Sequence, residues 1–284
     1  MPPLRPPGVA RMPSAEVVSN PAAAPGAFGV VGCGRMAQAL LSPLVESGQL
    51  AAAEIRAAVA SEASCQRLAA TGFQVSTKAA AAWACPVVLL AVKPQQLEAA
   101  ASHAGGQGGL LISVLAGVRL QRLQELFPQW RCVRAVPNTP ALVRSGLTGL
   151  AWGAGVEAAE RNWVRQLFGQ VGEVHELPET QLDAFLALTS SGPAFVALVA
   201  EALADGAVAA GLPRVLASHL AHRTLAGSAA LLHEQELHPG QLKDMVGSPA
   251  GTTMAGIRQL ERAGLRSALI EAVLAAAERS RQLG

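Results

Sequence analysis

The sequence predicts an α/β protein in which a doubly wound parallel sheet is followed by a second domain made of helices. From Ala27 to Leu177, short continuous apolar runs alternate with segments of helical periodicity, the pattern of a parallel sheet covered by helices on both faces. From Pro178 to Gly284 the strand-like runs stop and helical patterns continue. We therefore divide the chain, which is long enough for two domains, into three parts: a leader (1–26), a sheet domain (27–177) and a helical domain (178–284).

The elements of the sheet domain follow from these patterns in chain order. Continuous apolar runs predict the strands: 27–32, 55–60, 87–92, 109–117, 132–137, 148–153 and 171–176. Segments with helical periodicity predict the helices: 34–47, 62–71, 77–84, 95–102, 119–126 and 156–169. Strands as apolar as these are buried on both faces, so helices are expected on both sides of the sheet.

The helical domain is expected to contain one helix that needs a partner. Turn-forming residues interrupt the helical pattern at four places: 189–193, 211–213, 238–240 and 247–251. The helix from about Pro193 to Ala210 is apolar nearly all round, so it belongs in a large core or between subunits. A domain of roughly 100 residues hardly hides such a helix alone. We expect an intertwined homodimer or a higher oligomer, with a self-contained bundle as the alternative.

Composition and charge argue against several classes of protein. Hydrophobic residues make up 51% and charged residues 15%, which argues against disorder over most of the length. The net charge of +2 comes from interspersed acids and bases, whereas nucleic-acid binding needs clustered Lys and Arg. The longest purely apolar run, 85–92, is too short to span a membrane. We therefore expect a protein that binds neither nucleic acid nor a membrane.

The cysteines and the leader both favour the cytoplasm. The four cysteines lie singly, which fits a reducing compartment better than a disulfide framework or a zinc site. Residues 1–26 are rich in Pro and Ala and contain no apolar core of signal-peptide length. We interpret them as a disordered leader. A transit peptide is the alternative because Arg5 and Arg11 are present, although Glu16 and the prolines argue against it.

The segment VVGCGRMA places a glycine motif between the first predicted strand and the first predicted helix. In its G-x-G-x-x-A pattern, Gly32 permits a tight turn, Gly34 lets the backbone approach a pyrophosphate, and Ala37 lets the helix pack on the strand. The helix N-terminus, with Arg35 and Met36, supplies N–H groups to the phosphates. Strand, turn and helix together predict a Rossmann dinucleotide site for NADPH or NADH.

The residues after the second predicted strand leave the choice between NADPH and NADH open. Ser61 is able to hydrogen-bond a 2′-phosphate, whereas Glu62 is able to accept bonds from a 2′-hydroxyl and repels a phosphate. Arg35 favours a phosphate or is simply solvated. Ser61 and Glu62 also have structural explanations, because Ser61 suits a helix N-cap and Glu62 suits a first helical turn.

Further cofactor-binding residues are expected at the carboxyl ends of strands, where doubly wound folds bind ligands. Four residues of the segment AVKPQ are assigned to the cofactor: Ala91, Val92, Lys93 and Pro94. For Lys93, a solvent-exposed lysine at a strand end is the alternative. Ala116, in the segment VLAG, is assigned to it as well. Asn138 lies between two prolines in VPNTP. It is placed to orient a carboxamide or a water, and the alternative is an Asx-turn residue.

Five segments resemble the pyrroline-5-carboxylate reductases of proline biosynthesis. They are GCGRMA, AVKPQ, VPNTP, SSGPAF with the EALADGAVAAGLPR that follows, and HPGQLKDMVGSPAGTTMAGIRQLE. Their order matches the family, and the resemblance covers about Ala27 to Gly284. It implies a Rossmann domain, an all-α dimerisation domain, and reduction of a cyclic imine by NADPH or NADH to give L-proline.

The resemblance also implies where the substrate binds. By similarity, Ser248, Gly251, Thr252 and Thr253 cradle the substrate carboxylate, and Thr253, near the ring nitrogen, is the candidate catalytic residue. A helix N-terminus with free N–H groups and hydroxyls forms an anion site without Lys or Arg. An ordinary capped helix start is the alternative. Glu236 matches an acidic position of the family, but its segment is one residue longer than expected, and a solvated loop acid is the alternative.

The resemblance further implies that the helical domains swap around a dimer and that dimers assemble into larger rings. The substrate site then lies where the sheet domain of one subunit meets the helices of its partner.

Five residues depart from the family pattern: Ala250 for a glycine, Met245 for a polar residue, Leu115 for a small one, and Ser190 with Ser191 in place of GSGP. An alanine at position 250 is strained if the position requires positive φ. Either these changes reshape the pocket towards another imine, such as a six-membered ring, or they have no effect, which we favour. A cofactor-binding paralogue without catalysis is the remaining alternative.

Overall fold

The computed structural model describes residues 26–105 and 108–283. The predicted disordered leader lies outside the described residues, except for Gly26.

An eight-stranded sheet forms the first part of the fold. Its strands are β1 (Phe28–Val31), β2 (Ile55–Ala58), β3 (Gln74–Ser76), β4 (Val87–Leu90), β5 (Gly109–Ser113), β6 (Trp130–Val136), β7 (Gly146–Trp152) and β8 (Gly172–Glu176). Their order across the sheet is β3-β2-β1-β4-β5-β6-β7-β8. Among the described strands, neighbours are parallel except for β6 and β7. The order reverses between β1 and β4, which is where a doubly wound sheet opens a crevice for a ligand.

Helices alternate with the strands up to β8, and the described residues after β8 form helices without further strands. Those between the strands are α1 (Arg35–Glu46), α2 (Glu62–Leu68), α3 (Ala80–Trp83), α4 (Leu97–Ala101), α5 (Leu120–Leu126) and α6 (Ala158–Gly169). Those after β8 are α7 (Leu182–Thr189), α8 (Gly192–Ala209), α9 (Arg214–Glu234), α10 (Pro239–Val246), α11 (Thr252–Arg262) and α12 (Leu265–Gln282). The fold class is therefore the predicted one, an α/β Rossmann sheet followed by an all-α region.

The hydrophobic core lies on both faces of the sheet. All four residues of β1 are buried. Phe28 and Val30 belong to the cluster that includes Phe168 of α6, whereas Val31 belongs to the cluster of Trp83 on the opposite face. Because successive side chains of a strand point to opposite faces, an uninterrupted apolar strand must be covered on both.

Three details of the sheet differ from the sequence-based expectation. The pattern does not predict β3, because its three residues Gln-Val-Ser contain no apolar run. The strand expected over 109–117 ends at Ser113, and the chain turns at Gly117, where φ is +78°. β7 runs antiparallel to β6 because their connection, 137–145, is shorter than the dozen or so residues that a parallel crossover needs.

The helical region is interrupted at all four expected places. A fifth interruption, which the pattern does not predict, separates α11 from α12 at Gly264. This residue adopts a left-handed conformation with φ of +75°, and glycine adopts it without a steric penalty.

In a single chain, much of the apolar surface of α8 is exposed to solvent. Within α8, which is described throughout, Ala200 and Ala204 are buried, and Ala204 packs with Ala217 of α9. Leu198 remains 67% exposed. The segment Glu179–Ala209 has the length and apolar composition of a membrane span, which a helix buried inside a protein shares. An extended exposed apolar face of this kind marks a binding surface.

Candidate active site

The glycine loop after β1 has the geometry that a dinucleotide requires. Gly32 has φ of +92°, and a Cβ added to it would lie 2.7 Å from the Ala91 carbonyl and the Val92 nitrogen. A side chain is therefore excluded here by the neighbouring strand. At Gly34 an added Cβ meets no described atom within 4 Å, so open space lies above the backbone where a pyrophosphate would approach.

The N-terminus of α1 is available to an anion. The first turn, which is fully described, contains no acidic residue, and no described side chain caps it. The first N–H groups of a helix have no acceptor within the helix, and here they belong to Arg35, Met36 and Ala37. Ala37 is fully buried against the sheet, while Arg35 is exposed. A phosphate group fits this terminus through backbone N–H groups and the helix dipole.

A cleft of about 470 Å³ leads away from the glycine loop across the ends of β1 and β2. Its lining is mostly small and apolar, with polar residues at the rim: Val31, Gly32, Ala58, Val59, Ala60, Thr77, Lys78, Ala79, Ala80, Val92, Gln96, Ala99, Ala100 and His103. An apolar cleft beside a phosphate-binding turn fits the adenosine half of a dinucleotide.

The segment after β4 follows the glycine loop closely. The Ala91 N–H donates to the Val31 carbonyl at 2.8 Å, so this segment lies beside the end of β1. Pro94 opens a short 3-10 helix, Pro94–Gln96, and Lys93 lies exposed at its start. The described residues give Lys93 no carboxylate partner within salt-bridge distance. A cofactor contact by Lys93 stays a prediction.

Ala116 lies in a different cavity. It lines a space of about 460 Å³ together with residues of α7, α8 and α12, among them Leu186, Phe195 and Arg279. Ala116 thus lies where the sheet meets the helical region, and the assignment of Ala116 to the cofactor stays a prediction.

Asn138 is held by two backbone groups. Its Oδ1 accepts a hydrogen bond from the Leu147 N–H at 2.8 Å, and its Nδ2 donates to the Thr189 carbonyl at 2.9 Å. The side chain is 4% exposed. Asn138 thus joins the end of β6 to β7 and α7, and one Nδ2 hydrogen remains for a ligand. A second hydrogen bond joins the same two regions, because the Ser190 hydroxyl donates to the Pro137 carbonyl at 3.2 Å.

The substrate loop predicted at 248–253 forms a tight turn before α11. The Gly251 N–H donates to the Ser248 carbonyl at 2.9 Å, and a Cβ added to Gly251 would lie 2.3 Å from Ser248 Oγ. Ala250 has φ of +58°, which is the strained conformation anticipated for an alanine at this position. The loop therefore requires its glycine and holds an alanine in a region that favours glycine.

The start of α11 is a second candidate anion site. No described side chain caps α11, and its first turn contains no acidic residue. The N–H groups of Thr252 and Thr253 therefore lack acceptors within the helix. Ser248 and Thr252 are exposed and Thr253 is half-buried. Met245 nearby is 59% exposed, so in a single chain this loop lies open to solvent beside apolar side chains.

The glycine loop, 30–37, and the segment 246–256 contain no Asp, Glu, His or Lys. Burial raises the pKa of the Cys33 thiol, which lies inside the glycine loop, to about 11. This thiol is therefore neutral at pH 7. Among the described residues, no group of three or more His, Cys, Asp or Glu side chains is arranged to hold a metal ion. Glu236 is exposed in the turn after α9 and has φ of +49°.

The departures from the family pattern have different structural consequences. Leu115 is 2% exposed and packs into the core cluster of Leu90 and Val118, so its bulk fills the core. Met245 is an exposed side chain of α10. Ser191 lines the same cavity as Ala116.

Two family models match the chain. The model described as pyrroline-5-carboxylate reductase dimerisation matches residues 179–283. The model described as NADP oxidoreductase, coenzyme F420-dependent, matches residues 27–117.

Relatives and solved structures extend this similarity to nearly the whole chain. The pyrroline-5-carboxylate reductase of Synechocystis sp. is 48% identical over 262 residues, which are 90% of this chain and 98% of that protein. A pyrroline-5-carboxylate reductase structure from Coxiella burnetii is 30% identical, with a TM-score of 0.81, over 92% of this chain and 99% of that one. The Plasmodium falciparum pyrroline carboxylate reductase with NADP bound is 27% identical, with a TM-score of 0.82, over 91% and 98%. These findings confirm the resemblance carried by the sequence motifs, and the chain belongs to the pyrroline-5-carboxylate reductase family.

Proposed function

We propose that this protein reduces pyrroline-5-carboxylate to L-proline with NADPH or NADH, the last step of proline biosynthesis. The observation that carries the proposal is the presence of two open anion sites, the glycine loop before α1 and the loop before α11. The loop before α11 contains no charged side chain between Ser248 and Thr253. The 48% identity to a relative named pyrroline-5-carboxylate reductase supports it.

The cofactor is held mainly by backbone groups. Gly32 keeps the turn tight, Gly34 leaves room for the pyrophosphate, and the N–H groups of Arg35 and Met36 bind it. Lys93 adds a positive charge near the same ligand. When bound, the nicotinamide cofactor supplies the hydride. The residues present fit such a ligand because the loop leaves open space at Gly34 and the adjoining cleft is apolar.

The substrate carboxylate is proposed to bind at the start of α11. The N–H groups of Thr252 and Thr253, the Ser248 hydroxyl and the turn at Gly251 form a site that neutralises an anion without Lys or Arg. The Thr253 hydroxyl is assigned to the ring nitrogen. A carboxylate bound in this way orients the imine carbon, and orientation is the main requirement of a hydride transfer.

The lack of a strong base agrees with the proposed reaction. A protonated imine is already electrophilic, so the protein has to position it and exclude water. Cys33 keeps its proton because burial raises its pKa to about 11, and we assign it no nucleophilic role. Solvent supplies the proton of the imine before binding, and Glu236 is left as an exposed loop acid.

We further propose that the active site forms between subunits of a homodimer. The apolar face of α8 is exposed in one chain, with Val196 and Leu198 at 54% and 67%, and the model for the dimerisation region matches these helices. In this proposal the partner that covers this face also completes the site at the loop before α11. Assembly of dimers into a larger ring remains a proposal, which light scattering tests. The four free cysteines favour the cytoplasm as its location.

The proposed reaction is tested by following the oxidation of NADPH and NADH with pyrroline-5-carboxylate in parallel assays. Turnover of this substrate well above that of a six-membered cyclic imino acid is the expected result. Preference for the six-membered ring would transfer the proposal to that substrate. Cofactor binding without turnover of either would indicate a non-catalytic paralogue.

A further inference from the structure

Leu283, which follows α12, lies directly on the turn after β5. A Cβ added to Gly117 would lie 2.7 Å from Leu283 Cβ and 3.1 Å from the Leu283 carbonyl carbon. Gly117 has φ of +78°, a left-handed conformation that glycine adopts without a steric penalty. The two residues therefore lie against each other, and the turn has room for Leu283 only because position 117 has no side chain.

Leu283 also borders two segments that are assigned to the cofactor. It lines the space of about 460 Å³ that contains Ala116. It lines a second cavity as well, of about 520 Å³, that contains Pro94 of the segment after β4. Since β4 and β5 are neighbouring parallel strands, both segments leave the sheet at its carboxyl edge, where doubly wound folds bind ligands. Leu283 is thus in contact with the connections that follow both strands.

One buried network anchors the two segments that meet at this turn. Glu179 Oε1 accepts a hydrogen bond from the N–H of Leu120, the first residue of α5, at 2.6 Å. Asp183 Oδ1 accepts one from the hydroxyl of Ser280, near the end of α12, at 2.8 Å. Arg134 lies 3.2 Å from each of the two carboxylates. The start of α5 and the end of α12 are therefore held by the same arginine.

The turn after β5 is restricted from two sides. On one side Leu115 is 2% exposed and packs with Leu90 and Val118 in the core. On the other side the turn meets Leu283. Hydride transfer depends on the position of the nicotinamide ring, and a misplacement of about 1 Å costs on the order of a hundredfold in rate. A residue that fixes a cofactor-binding turn therefore affects the reaction without touching the substrate.

We propose that Leu283 is a positioning residue, which holds the turn of Ala116 and Gly117 in the conformation that receives the nicotinamide half of the cofactor. The inference rests on the proposed function, in which Ala116 contacts the cofactor. Leu283 acts through Gly117 and binds neither the cofactor nor the substrate. The end of α12 thereby has a role at the cofactor site that is separate from dimerisation.

Ligand affinities test the proposal independently of turnover. The full chain is titrated calorimetrically with NADPH and NADH, and with 2′-phospho-ADP-ribose and ADP-ribose, which are the same molecules without the nicotinamide ring. Leu283→Gly is expected to weaken the tighter-binding cofactor about fivefold and to leave the matching fragment unchanged. The thermal midpoint should stay close to that of the wild type, because Leu283 is 45% exposed and its removal leaves no closed cavity in the core.

Two variants serve as controls for Leu283→Gly. Leu283→Met keeps an apolar side chain of similar size and should behave as the wild type. Gln282→Gly, at the exposed neighbour, matches the added backbone freedom and should change none of the four affinities. An equal loss of cofactor and fragment in Leu283→Gly would overturn the proposal, because a purely structural role weakens both. An unchanged cofactor affinity in Leu283→Gly would overturn it too.

A double-mutant cycle tests the contact itself. Gly117→Ala adds the Cβ that meets Leu283, so it should weaken the cofactor more than the fragment. The same substitution should cost less affinity in the Leu283→Gly background, where the nearest atom of the contact is gone. Additive losses would overturn the proposal, because they would show that the two positions act independently.

The outcomes separate this inference from the proposed reaction. A selective loss of cofactor affinity in Leu283→Gly, with no turnover of pyrroline-5-carboxylate by the wild type, would support the positioning role and overturn the reaction. Turnover by the wild type, with cofactor and fragment weakened equally in Leu283→Gly, would support the reaction and overturn the positioning role.

Discussion

Arg134 and Asp183 form a buried ion pair that joins the sheet to the helical region. Arg134 Nη2 lies 3.2 Å from Asp183 Oδ1, and the arginine side chain is 1% exposed. The same arginine donates to Glu179 Oε1 at 3.2 Å. Asp183 also accepts from the Ser280 hydroxyl of α12 at 2.8 Å. One side chain of β6 thus holds the beginning of α7 and, through Asp183, the end of α12.

Replacing Arg134 should destabilise the fold strongly. In Arg134→Met the two carboxylates lose their common partner, and leaving a buried charge unpaired costs roughly 3 kcal/mol. The free energy of unfolding in urea, measured at one protein concentration, should fall by about this amount. Arg165→Met is the control, because its pair with Glu176 is exposed and such pairs contribute about 1 kcal/mol or less. Equal losses in the two variants would contradict a special role for Arg134.

Ala250→Gly should stabilise the protein. Alanine at φ of +58° has a steric penalty of roughly 1–2 kcal/mol. Glycine removes this penalty, but it also increases the conformational entropy of the unfolded chain, which offsets part of the stabilisation. We expect a net gain of about 0.5–1 kcal/mol in the free energy of unfolding. Gly251→Ala is the opposite case, since its Cβ would meet Ser248 Oγ, and it should destabilise the loop. An unchanged stability in Ala250→Gly would mean that position 250 relaxes without strain.

Thr253→Val should raise the KM for pyrroline-5-carboxylate or lower kcat, by about tenfold in kcat/KM. The substitution keeps the shape of the side chain and removes the hydroxyl assigned to the substrate. Cofactor affinity, measured by calorimetry, should stay unchanged because the glycine loop is untouched. The exposed Thr180→Val is a control that should behave as wild type in both measurements. Wild-type kinetics in Thr253→Val would refute this placement of the substrate.

Two glycine substitutions should separate folding from cofactor binding. Gly34→Ala adds a methyl group into open space, so the thermal midpoint should stay close to that of the wild type while NADPH affinity falls by at least about tenfold. Gly32→Ala forces a Cβ to 2.7 Å from the backbone of Ala91 at a φ of +92°. Gly32→Ala should therefore lower both the thermal midpoint of unfolding and the affinity for NADPH. Unchanged NADPH affinity in Gly34→Ala would contradict the assignment of the loop to the pyrophosphate.

Local conformations in the two loops could be predicted from the sequence. The need for a tight turn at Gly32 and the strain of an alanine at position 250 both concern a few neighbouring residues. Their φ angles of +92° and +58° follow the expected local geometry. Four of the five breaks between the helices after β8 could likewise be predicted, because Gly and Pro act on the backbone within one turn.

Relationships between distant residues could not be predicted in the same way. The flanking prolines predict that Asn138 orients a ligand, which stays a prediction, but they do not indicate its hydrogen bond to the Thr189 carbonyl, 51 residues later in the chain. For Leu115 the sequence leaves a reshaped pocket and no effect as alternatives, and only the structure shows that the side chain packs into the core. Neither contact leaves a signal in the residues around it.

The fold class and the glycine loop could be predicted from the amino-acid sequence, because strand and helix periodicity and turn chemistry are properties of consecutive residues. The folded structure was needed to show that β7 runs antiparallel to β6 and that Arg134 pairs with Asp183. It also decided that Glu62 is bonded to Thr77 while Arg67 is bonded to Ser64. The first three of these four relationships, β6 with β7, Arg134 with Asp183 and Glu62 with Thr77, join segments that meet only when the chain folds. In the last, the side chain's rotamer decides which of several partners within reach it contacts.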